Sequence, residues 1–266
     1  MAQRKYKAIL ADLDGTINRG NDLIDGASRI YRSLREQGVR WIFISNSARK
    51  LAGDLTEKIN RLGLPVSQDQ VINSATALLE EIERGYAGAT AFVIGEPPLI
   101  AGIEATGMRV QRDGDAADIV IVAMDADFHY TKLNAAFQCL QRGALFWATN
   151  LDPTFPAERG FVPGAGALVA AVAAAIGRQP DRVFGKPQKD MALLALRRLD
   201  LSPRECLVVG DRMDTDVMFA RNAGIDSALV LTGATSLEQL SKYDFKPDYI
   251  FDDITGVQEL FGEVAT

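Results

Sequence analysis

The chain has 266 residues, of which 47% are hydrophobic and 24% charged, and this composition is typical of a folded globular protein and excludes long disordered stretches. The formal net charge is −6 and no dense tract of Lys and Arg occurs, which argues against a nucleic-acid partner because phosphate backbones are usually bound by clustered basic surfaces. The length exceeds what one core usually needs, so we expect two domains or one large insertion.

The sequence indicates neither a membrane segment nor a disulfide framework. The N-terminal residues contain no apolar signal segment, and the most apolar run, Ala165–Ile176, is shorter than the roughly 20 residues that span a bilayer. We expect that run to form a buried helix. Cys139 and Cys206 are far apart and lack a zinc-ligand spacing, so both are expected to be reduced and partly buried. These features predict a cytoplasmic protein.

Short apolar runs alternate with helical patterns along the chain. Strands are predicted at Lys7–Ala11, Arg40–Ile44, Ala91–Ile94, Ile119–Ala123, Leu145–Ala148, Cys206–Val209, Ala228–Leu231 and Tyr249–Phe251. Helices are predicted at Ala27–Gln37, Ala48–Leu62, Leu133–Arg142 and Lys189–Leu199. This alternation predicts an α/β fold, a Rossmann-like, doubly wound parallel sheet with helices on its faces. Several strands are apolar throughout, as expected when both faces of a sheet are covered.

The segment between Asn46 and Lys186 is too long for one βα unit and has its own βα alternation. We therefore predict an inserted second α/β domain over residues 86–179 and a core domain formed by residues 1–85 and 180–266. Gly and Pro cluster near both ends of the insertion, which places the boundaries there.

Polar residues directly follow four of the apolar runs. Asp12 follows the first strand, Ser45 and Asn46 follow the second, Lys186 follows the run RVFG, and Asp211 follows LVVG. In open α/β sheets, ligands bind in the crevice outside the carboxyl ends of the strands. We therefore expect these side chains to converge on one site.

Carboxylates dominate this predicted site. Asp12 and Asp14 occupy the first strand-end loop, and Asp211, Asp214 and Asp216 occupy a later one. Like charges in one crevice repel, and buried carboxylates need partners. A hard divalent cation satisfies this need, and oxygen ligands favour Mg²⁺, which in turn suits a phosphate group. Asp214 is equally well explained as a solvated or helix-capping residue.

The nucleophile is predicted to be a carboxylate. The single histidine, His129, lies in the predicted insertion, so a Ser-His-Asp mechanism is disfavoured. Carboxylates can form covalent aspartyl-phosphates, and Asp12 at the strand end is the better-placed candidate. Asp14, two residues further, can protonate the leaving oxygen and then activate water. Lys186 and the Ser45 hydroxyl can stabilise the transferred group.

Four short motifs resemble those of the haloacid dehalogenase (HAD) superfamily, in that family's order. They are DLDGT at Asp12–Thr16, ISN at Ile44–Asn46, GKP at Gly185–Pro187 and GDRMDTD at Gly210–Asp216. GEPPL at Gly95–Leu99 and the run at Thr149–Ala171 resemble the NagD-like subfamily, whose type II cap is inserted between the second and third motifs. The similarity covers nearly the whole chain.

The resemblance implies a role for each matching residue. Asp12 is expected to be the nucleophile and a Mg²⁺ ligand, and Asp14 the acid/base with its backbone carbonyl on the metal. Asp211 is expected to bind the metal, and Asp216 to hold the loop or a metal-bound water. Phosphate contacts are implied for Ser45, Asn46, Ser47 and Lys186. The second motif reads SNS where many members have TNN or SNN, which retains the hydroxyl and the amide.

The implied activity is Mg²⁺-dependent hydrolysis of small phosphorylated metabolites, including sugar phosphates and p-nitrophenyl phosphate. The resemblance also allows a homodimer. Nucleotides and pyridoxal phosphate stay open as substrates. A phosphomutase and a binding protein without turnover are the alternatives, whereas Asp14 argues against a dehalogenase. Phe155, Arg159 and Phe161 fall in the predicted cap and are candidates for substrate contact.

Overall fold

The structure is a computed structural model that describes residues 5–114, 116–157 and 160–262. Its strands are β1 (Ala8–Asp12), β2 (Asn18–Arg19), β3 (Asp22–Leu23), β4 (Arg40–Ser45), β5 (Val71–Asn73), β6 (Thr90–Ile94), β7 (Arg109–Gln111), β8 (Ile119–Val122), β9 (Leu145–Ala148), β10 (Thr154–Ala157), β11 (Gly160–Pro163), β12 (Arg182–Val183), β13 (Cys206–Gly210), β14 (Asp226–Val230) and β15 (Tyr249–Phe251). Its α-helices are α1 (Ala27–Glu36), α2 (Ala52–Arg61), α3 (Ser74–Gly85), α4 (Pro97–Ala105), α5 (Tyr130–Gln141), α6 (Ala165–Ile176), α7 (Asp190–Leu199) and α8 (Met218–Ala223).

The chain divides into two compact units. The first comprises Met1–Ser45, Gly53–Ile72 and Lys186–Thr266, and the second comprises Asn46–Ala52 and Asn73–Gly185. The second unit therefore includes α3 and the loop before α2, both of which the sequence analysis placed in the core. The domain boundaries at residues 86 and 179 stay a prediction.

The first unit is built on a six-stranded sheet in the order β15-β14-β13-β1-β4-β5. Strand β1 pairs in parallel with both β13 and β4, and Leu10 lies opposite Val208 and Ile42. The chain extends the sheet from β1 through β4 in one direction and from β13 through β14 and β15 in the other. The strand order therefore reverses between β1 and β13, the place where open α/β sheets bind ligands.

Aromatic packing anchors this sheet to its neighbouring helix. Tyr31 of α1 is fully buried, and its ring centroid lies 5.4 Å from that of Trp41 and 5.8 Å from that of Phe43 in β4. Burial of side chains of this size contributes roughly 1.5–3 kcal/mol each, which holds the end of β4 in a fixed position.

The second unit contains its own parallel sheet in the order β12-β9-β8-β6-β7. Helices α5 and α6 pack over it through a cluster that includes Phe92, Val120, Leu140, Phe146 and Val172. A separate antiparallel hairpin is formed by β10 and β11, with Phe155 opposite Val162.

The predicted α/β class with parallel sheets is confirmed, and all eight predicted strands are present with small shifts at their ends. Three details of the prediction were wrong. Helix α5 begins at Tyr130 and not at Leu133. Helix α2 begins at Ala52 and not at Ala48, and the strand before Lys186, β12, belongs to the second sheet and not to the sheet that carries Asp12. Helices α3, α4 and α8 are not among the helices named in the sequence-based prediction.

The predicted helix at Ala165–Ile176 is α6, but it is buried on one face only, since Ala170 and Ala174 are exposed. Cys139 and Cys206 are both buried, and the Cys139 thiol donates to the Gly114 carbonyl at 3.3 Å. Among the helices in the described ranges, none is long and apolar enough to cross a bilayer.

Candidate active site

Three aspartates from the first unit gather at the carboxyl ends of β1 and β13. Asp12 is the last residue of β1, Asp211 directly follows β13, and Asp216 lies in a π-helical turn at Met213–Val217. One carboxylate oxygen from each lies within 4.8 Å of the others. The strand reversal thus brings together residues that are about 200 positions apart in sequence.

Lys186 joins two of these aspartates. Its Nζ donates to Asp12 Oδ1 at 2.5 Å and to Asp216 Oδ1 at 2.6 Å, and the residue is only 4% exposed. The other oxygen of Asp216 accepts the backbone N–H groups of Asp211 at 3.2 Å and Arg212 at 3.1 Å. Both carboxylate oxygens of Asp216 therefore accept hydrogen bonds from the protein. In this way Asp216 fixes Lys186 and the loop after β13.

Asp211 is satisfied on one oxygen only. Its Oδ2 accepts the backbone N–H of Ala234 at 2.6 Å, whereas its Oδ1 is buried and has no hydrogen-bond partner among the described residues. Gly15 and Gly233 lie directly against this carboxylate. A Cβ on Gly15 would stand 2.6 Å from Asp211 Oδ2, and φ at Gly15 is +97°, so glycine is required in the first motif for both reasons.

Burial and like charges disturb the protonation of this cluster. Burial raises the pKa of Asp12 well above its usual range, and the charges of Asp216 and Asp211 add to it, although Lys186 opposes them. Burial also raises the pKa of Asp211 to about 6, with the Asp216 charge second. Burial alone would lower the pKa of Lys186, but the two carboxylates outweigh it and the pKa is raised. One ammonium thus faces three carboxylates.

The residues present fit a hard divalent cation. The cluster carries excess negative charge, its donors are oxygens, and Asp211 Oδ1 is buried with no partner in the part of the chain that the structure describes. In the described part of the chain, Asp12 Oδ2 also accepts no hydrogen bond. Asp12 and Asp211 are therefore the residues that would hold the ion, and oxygen donors of this kind are those that Mg²⁺ prefers.

Asp14 and Asp214 lie outside the cluster. Asp14 is exposed, and its Oδ1 accepts Asn18 Nδ2 at 2.8 Å and Lys58 Nζ at 3.4 Å. Asp214 forms a surface ion pair with Arg212 at 3.0 Å, which agrees with a solvated role. The contacts from Asn18 and Lys58 were not predicted, because neither residue belongs to a strand-end motif.

Two family models match the chain: one described as haloacid dehalogenase-like hydrolase over residues 9–109 and one as HAD-hydrolase-like over residues 183–257. An acid sugar phosphatase of Staphylococcus saprophyticus is 38% identical over 255 residues, which cover 96% of this chain and 97% of the relative. The chain belongs to the haloacid dehalogenase-like hydrolases. The predicted family and the predicted hydrolase class are confirmed.

Solved structures agree with this assignment to the HAD family. A 4-nitrophenylphosphatase from Thermotoga maritima matches with a TM-score of 0.90 and 31% identity, covering 96% of this chain and 97% of that one. A glycerol phosphate phosphatase from Mycobacterium tuberculosis, in complex with magnesium, matches with a TM-score of 0.86 and 33% identity, covering 95% of this chain and 76% of that one.

The second HAD motif is divided between the two units. Ser45 ends β4 and is 6% exposed, whereas Asn46 and Ser47 belong to the second unit. The Asn46 carbonyl accepts Ser74 Oγ at 2.6 Å and Asn150 Nδ2 at 2.9 Å. These are supports of the motif that the sequence analysis missed.

Side chains also hold the rest of this loop. Asn46 Nδ2 donates to Asp152 Oδ2 at 3.0 Å, and Asn73 Nδ2 donates to the carbonyls of Ser47 at 2.8 Å and Lys50 at 2.6 Å. The polar run that precedes α2 is therefore fixed by side-chain hydrogen bonds in place of helical ones, which explains why the helix starts later than predicted.

The candidate substrate residues of the predicted cap differ in their surroundings. The ring of Phe155 lies 5.2 Å below the guanidinium of Arg49, whereas Phe161 is 75% exposed. Arg159 lies outside the described residues. His129 is exposed at the start of α5 and makes no capping hydrogen bond through its side chain.

Proposed function

We propose that this HAD hydrolase is a Mg²⁺-dependent phosphatase that hydrolyses small phosphomonoesters, sugar phosphates in particular, through an aspartyl-phosphate on Asp12. One observation carries the proposal: among the described residues, a buried lysine holds the nucleophile candidate on one oxygen while the other accepts no hydrogen bond, and the clustered Asp211 has a buried oxygen without a partner. The acid sugar phosphatase and nitrophenylphosphatase names of the relatives support the substrate class.

In the first half of the reaction, Asp12 Oδ2 attacks phosphorus while the bond to the leaving oxygen breaks, and Asp14 gives its proton to that oxygen. Lys186 holds Asp12 through Oδ1 and offsets part of the negative charge that approaches with the phosphate. When bound, Mg²⁺ supplies the positive charge that allows a phosphate to enter a site of carboxylates.

In the second half, a water molecule attacks phosphorus and gives its proton to Asp14. The bond between Asp12 and phosphorus breaks, which releases inorganic phosphate and restores both carboxyl groups. Asp216 takes no part in the chemistry, since both its oxygens accept protein hydrogen bonds; it positions Lys186 and the loop that carries Asp211.

Further parts of the proposal depend on resemblance. Ser45, Asn46 and Ser47 are proposed to bind phosphate, and the backbone carbonyl of Asp14 to join the metal. Residues 86–179 are proposed to act as a cap that admits small metabolites, and the chain to form a homodimer. A cytoplasmic location is proposed, in line with a sequence that holds only two cysteines, far apart.

Phosphate release from p-nitrophenyl phosphate and from a panel of sugar phosphates, with Mg²⁺ or with EDTA, tests this function. We expect activity only with Mg²⁺, and a loss of roughly 10³-fold or more in Asp12→Asn, because the variant removes the attacking oxygen's charge. The exposed Asp244 of the same unit provides the matched control, Asp244→Asn, which should keep full activity. Full activity in Asp12→Asn, or isomerised sugar phosphate without free phosphate, would refute the proposal.

A further inference from the structure

Asp14 is held on one oxygen only. Asn18 Nδ2 at 2.8 Å and Lys58 Nζ at 3.4 Å both contact Oδ1, and within the described residues no hydrogen bond to Oδ2 is found. Asn18 is fully buried, and its amide nitrogen also donates to the Gly20 carbonyl at 2.9 Å. Two acceptors on that nitrogen fix which end of the amide faces Asp14.

This arrangement decides where an acid proton can reside. An amide NH₂ and an ammonium are donors only, so a proton on Asp14 Oδ1 would face two other protons. The remaining oxygen, Oδ2, belongs to a side chain that is 50% exposed as a whole, so solvent reaches this carboxyl group.

We propose that Lys58 is a positioning residue for the hydrolysis reaction: together with Asn18 it holds Asp14 by Oδ1 and turns Oδ2 toward the oxygen that gains or loses the proton. This inference rests on the proposed function. Lys58 lies on α2, outside every HAD motif quoted above, and its side chain is 22% exposed.

Stability does not explain the pair. An ion pair with a side-chain exposure of 22% on one partner and 50% on the other is screened by water and contributes little to folding. Removal of the Lys58 ammonium should therefore leave the fold intact and act on proton transfer alone.

The nature of the leaving group separates this role from general damage. A sugar alkoxide needs a proton as it leaves, whereas p-nitrophenolate is weakly basic and leaves with little help. In a two-step reaction, kcat/KM reports the step in which the leaving group departs. We expect Lys58→Met to lower kcat/KM roughly tenfold or more for the sugar phosphate that the wild type cleaves best, and less than about threefold for p-nitrophenyl phosphate.

Lys58→Arg should restore most of the activity on the sugar phosphate, since it returns a cation to the same place. Lys242→Met, at an exposed lysine elsewhere in the first unit, is the control and should match the wild type on both substrates. Thermal unfolding of each variant shows that the fold is retained.

Equal losses on both substrates, or a rise in KM alone, would overturn the positioning role and indicate direct substrate binding by Lys58. Wild-type values for Lys58→Met would also overturn it, while hydrolysis by the wild type and its loss in Asp12→Asn leave the proposed function standing. A wild type without phosphatase activity would refute both.

Discussion

Each of the two units contains a buried aspartate close behind a strand of its parallel sheet, and the two aspartates differ in how the protein satisfies them. Asp125, behind β8, is 5% exposed; its Oδ1 accepts the Asp127 backbone N–H at 2.9 Å and its Oδ2 accepts Lys132 Nζ at 2.8 Å. Asp211, behind β13, is 3% exposed, and one of its oxygens has no partner within the described ranges. Two buried aspartates near strand ends thus differ in their partners: in the described part of the chain Asp125 has a donor on each oxygen, whereas Asp211 has one on Oδ2 alone.

The difference lies in charge balance. Asp125 pairs with Lys132, which also contacts the exposed Asp127, whereas the ammonium of Lys186 pairs with two of the three clustered aspartates, Asp12 and Asp216. A buried charge that the protein does not neutralise is costly, so such a group is retained where a ligand completes it. The comparison predicts that variants of the two clusters will fail in different ways.

The largest difference is expected between the two lysines. Lys186→Met removes the cation beside Asp12 and should lower kcat roughly 10²-fold or more, as loss of one stabilising donor does in other enzymes. Lys132→Met should keep kcat within about twofold and lower the melting temperature, because an unpaired buried polar group costs about 1–3 kcal/mol. Steady-state kinetics and thermal unfolding of both variants measure this. Similar kinetics for the two would contradict the comparison.

Metal binding should distinguish the two aspartates. With Mg²⁺ at 100 times its dissociation constant, the native state gains about 2.7 kcal/mol, which appears as a higher melting temperature. Asp211→Asn should lose most of this gain, whereas Asp125→Asn should keep it although its own starting stability is lower. Thermal unfolding with and without EDTA gives the answer. An undiminished Mg²⁺ effect in Asp211→Asn would remove that residue from the metal site.

The metal-free protein should respond to pH through Asp211. Its pKa is about 6 in the folded state and near 4 when unfolded, so the folded state binds the proton more strongly between these values. Stability should therefore fall by about 1–3 kcal/mol as the pH rises from 4 to 7. Urea unfolding in EDTA, followed through Trp41 of β4 in a Trp147→Phe background, measures it. The decrease in the free energy of unfolding between pH 4 and pH 7 should be smaller in Asp211→Asn and unchanged in Asp125→Asn.

Strand-end residues of the site were predictable because local pattern alone locates them. Asp12, Ser45 and Asp211 each follow an apolar run, and parallel strands place such residues on one edge of a sheet. Lys58 and Asn18 were not predictable, since a polar residue on an amphipathic helix or in a turn looks the same whether it faces solvent or a carboxylate.

Features that depend on contacts distant in sequence were also missed. The loop before α2 has a helical pattern, yet the Asn73 and Asn150 side chains bind its carbonyls and delay the helix. Strand β12 belongs to the second sheet because it pairs with β9. The two residues of β12 do not by themselves indicate which strand they pair with. Periodicity predicts the elements, but not which partners they select.

The smallest effect is expected at Asp181 in the second unit, and its sign is opposite to that of Asp211. Burial on its own would raise the pKa of Asp181. Hydrogen bonds from the Phe146 N–H at 2.6 Å and from Arg178 at 2.8 Å outweigh this effect, so the pKa of Asp181 is lowered. Its contribution is therefore present above pH 4 and is lost as the pH falls through the lower folded value. Because the side chain is 43% exposed, screening reduces the effect to below about 1 kcal/mol.

A matched pair of proteins isolates this contribution. In a Trp41→Phe background, the fluorescence of Trp147 in β9 reports unfolding of the second unit. The difference in the free energy of unfolding between the protein with Asp181 and its Asp181→Asn variant should decrease as the pH falls from 6 to 3. A stability difference that increases as the pH falls would mean that the protein does not favour the charged form of the Asp181 carboxylate. With Asp211, the two measurements would then assign opposite pH responses to two aspartates according to their surroundings. Asp211 is buried beside the charge of Asp216 and favours its proton, whereas Asp181 has donors on both oxygens and releases it.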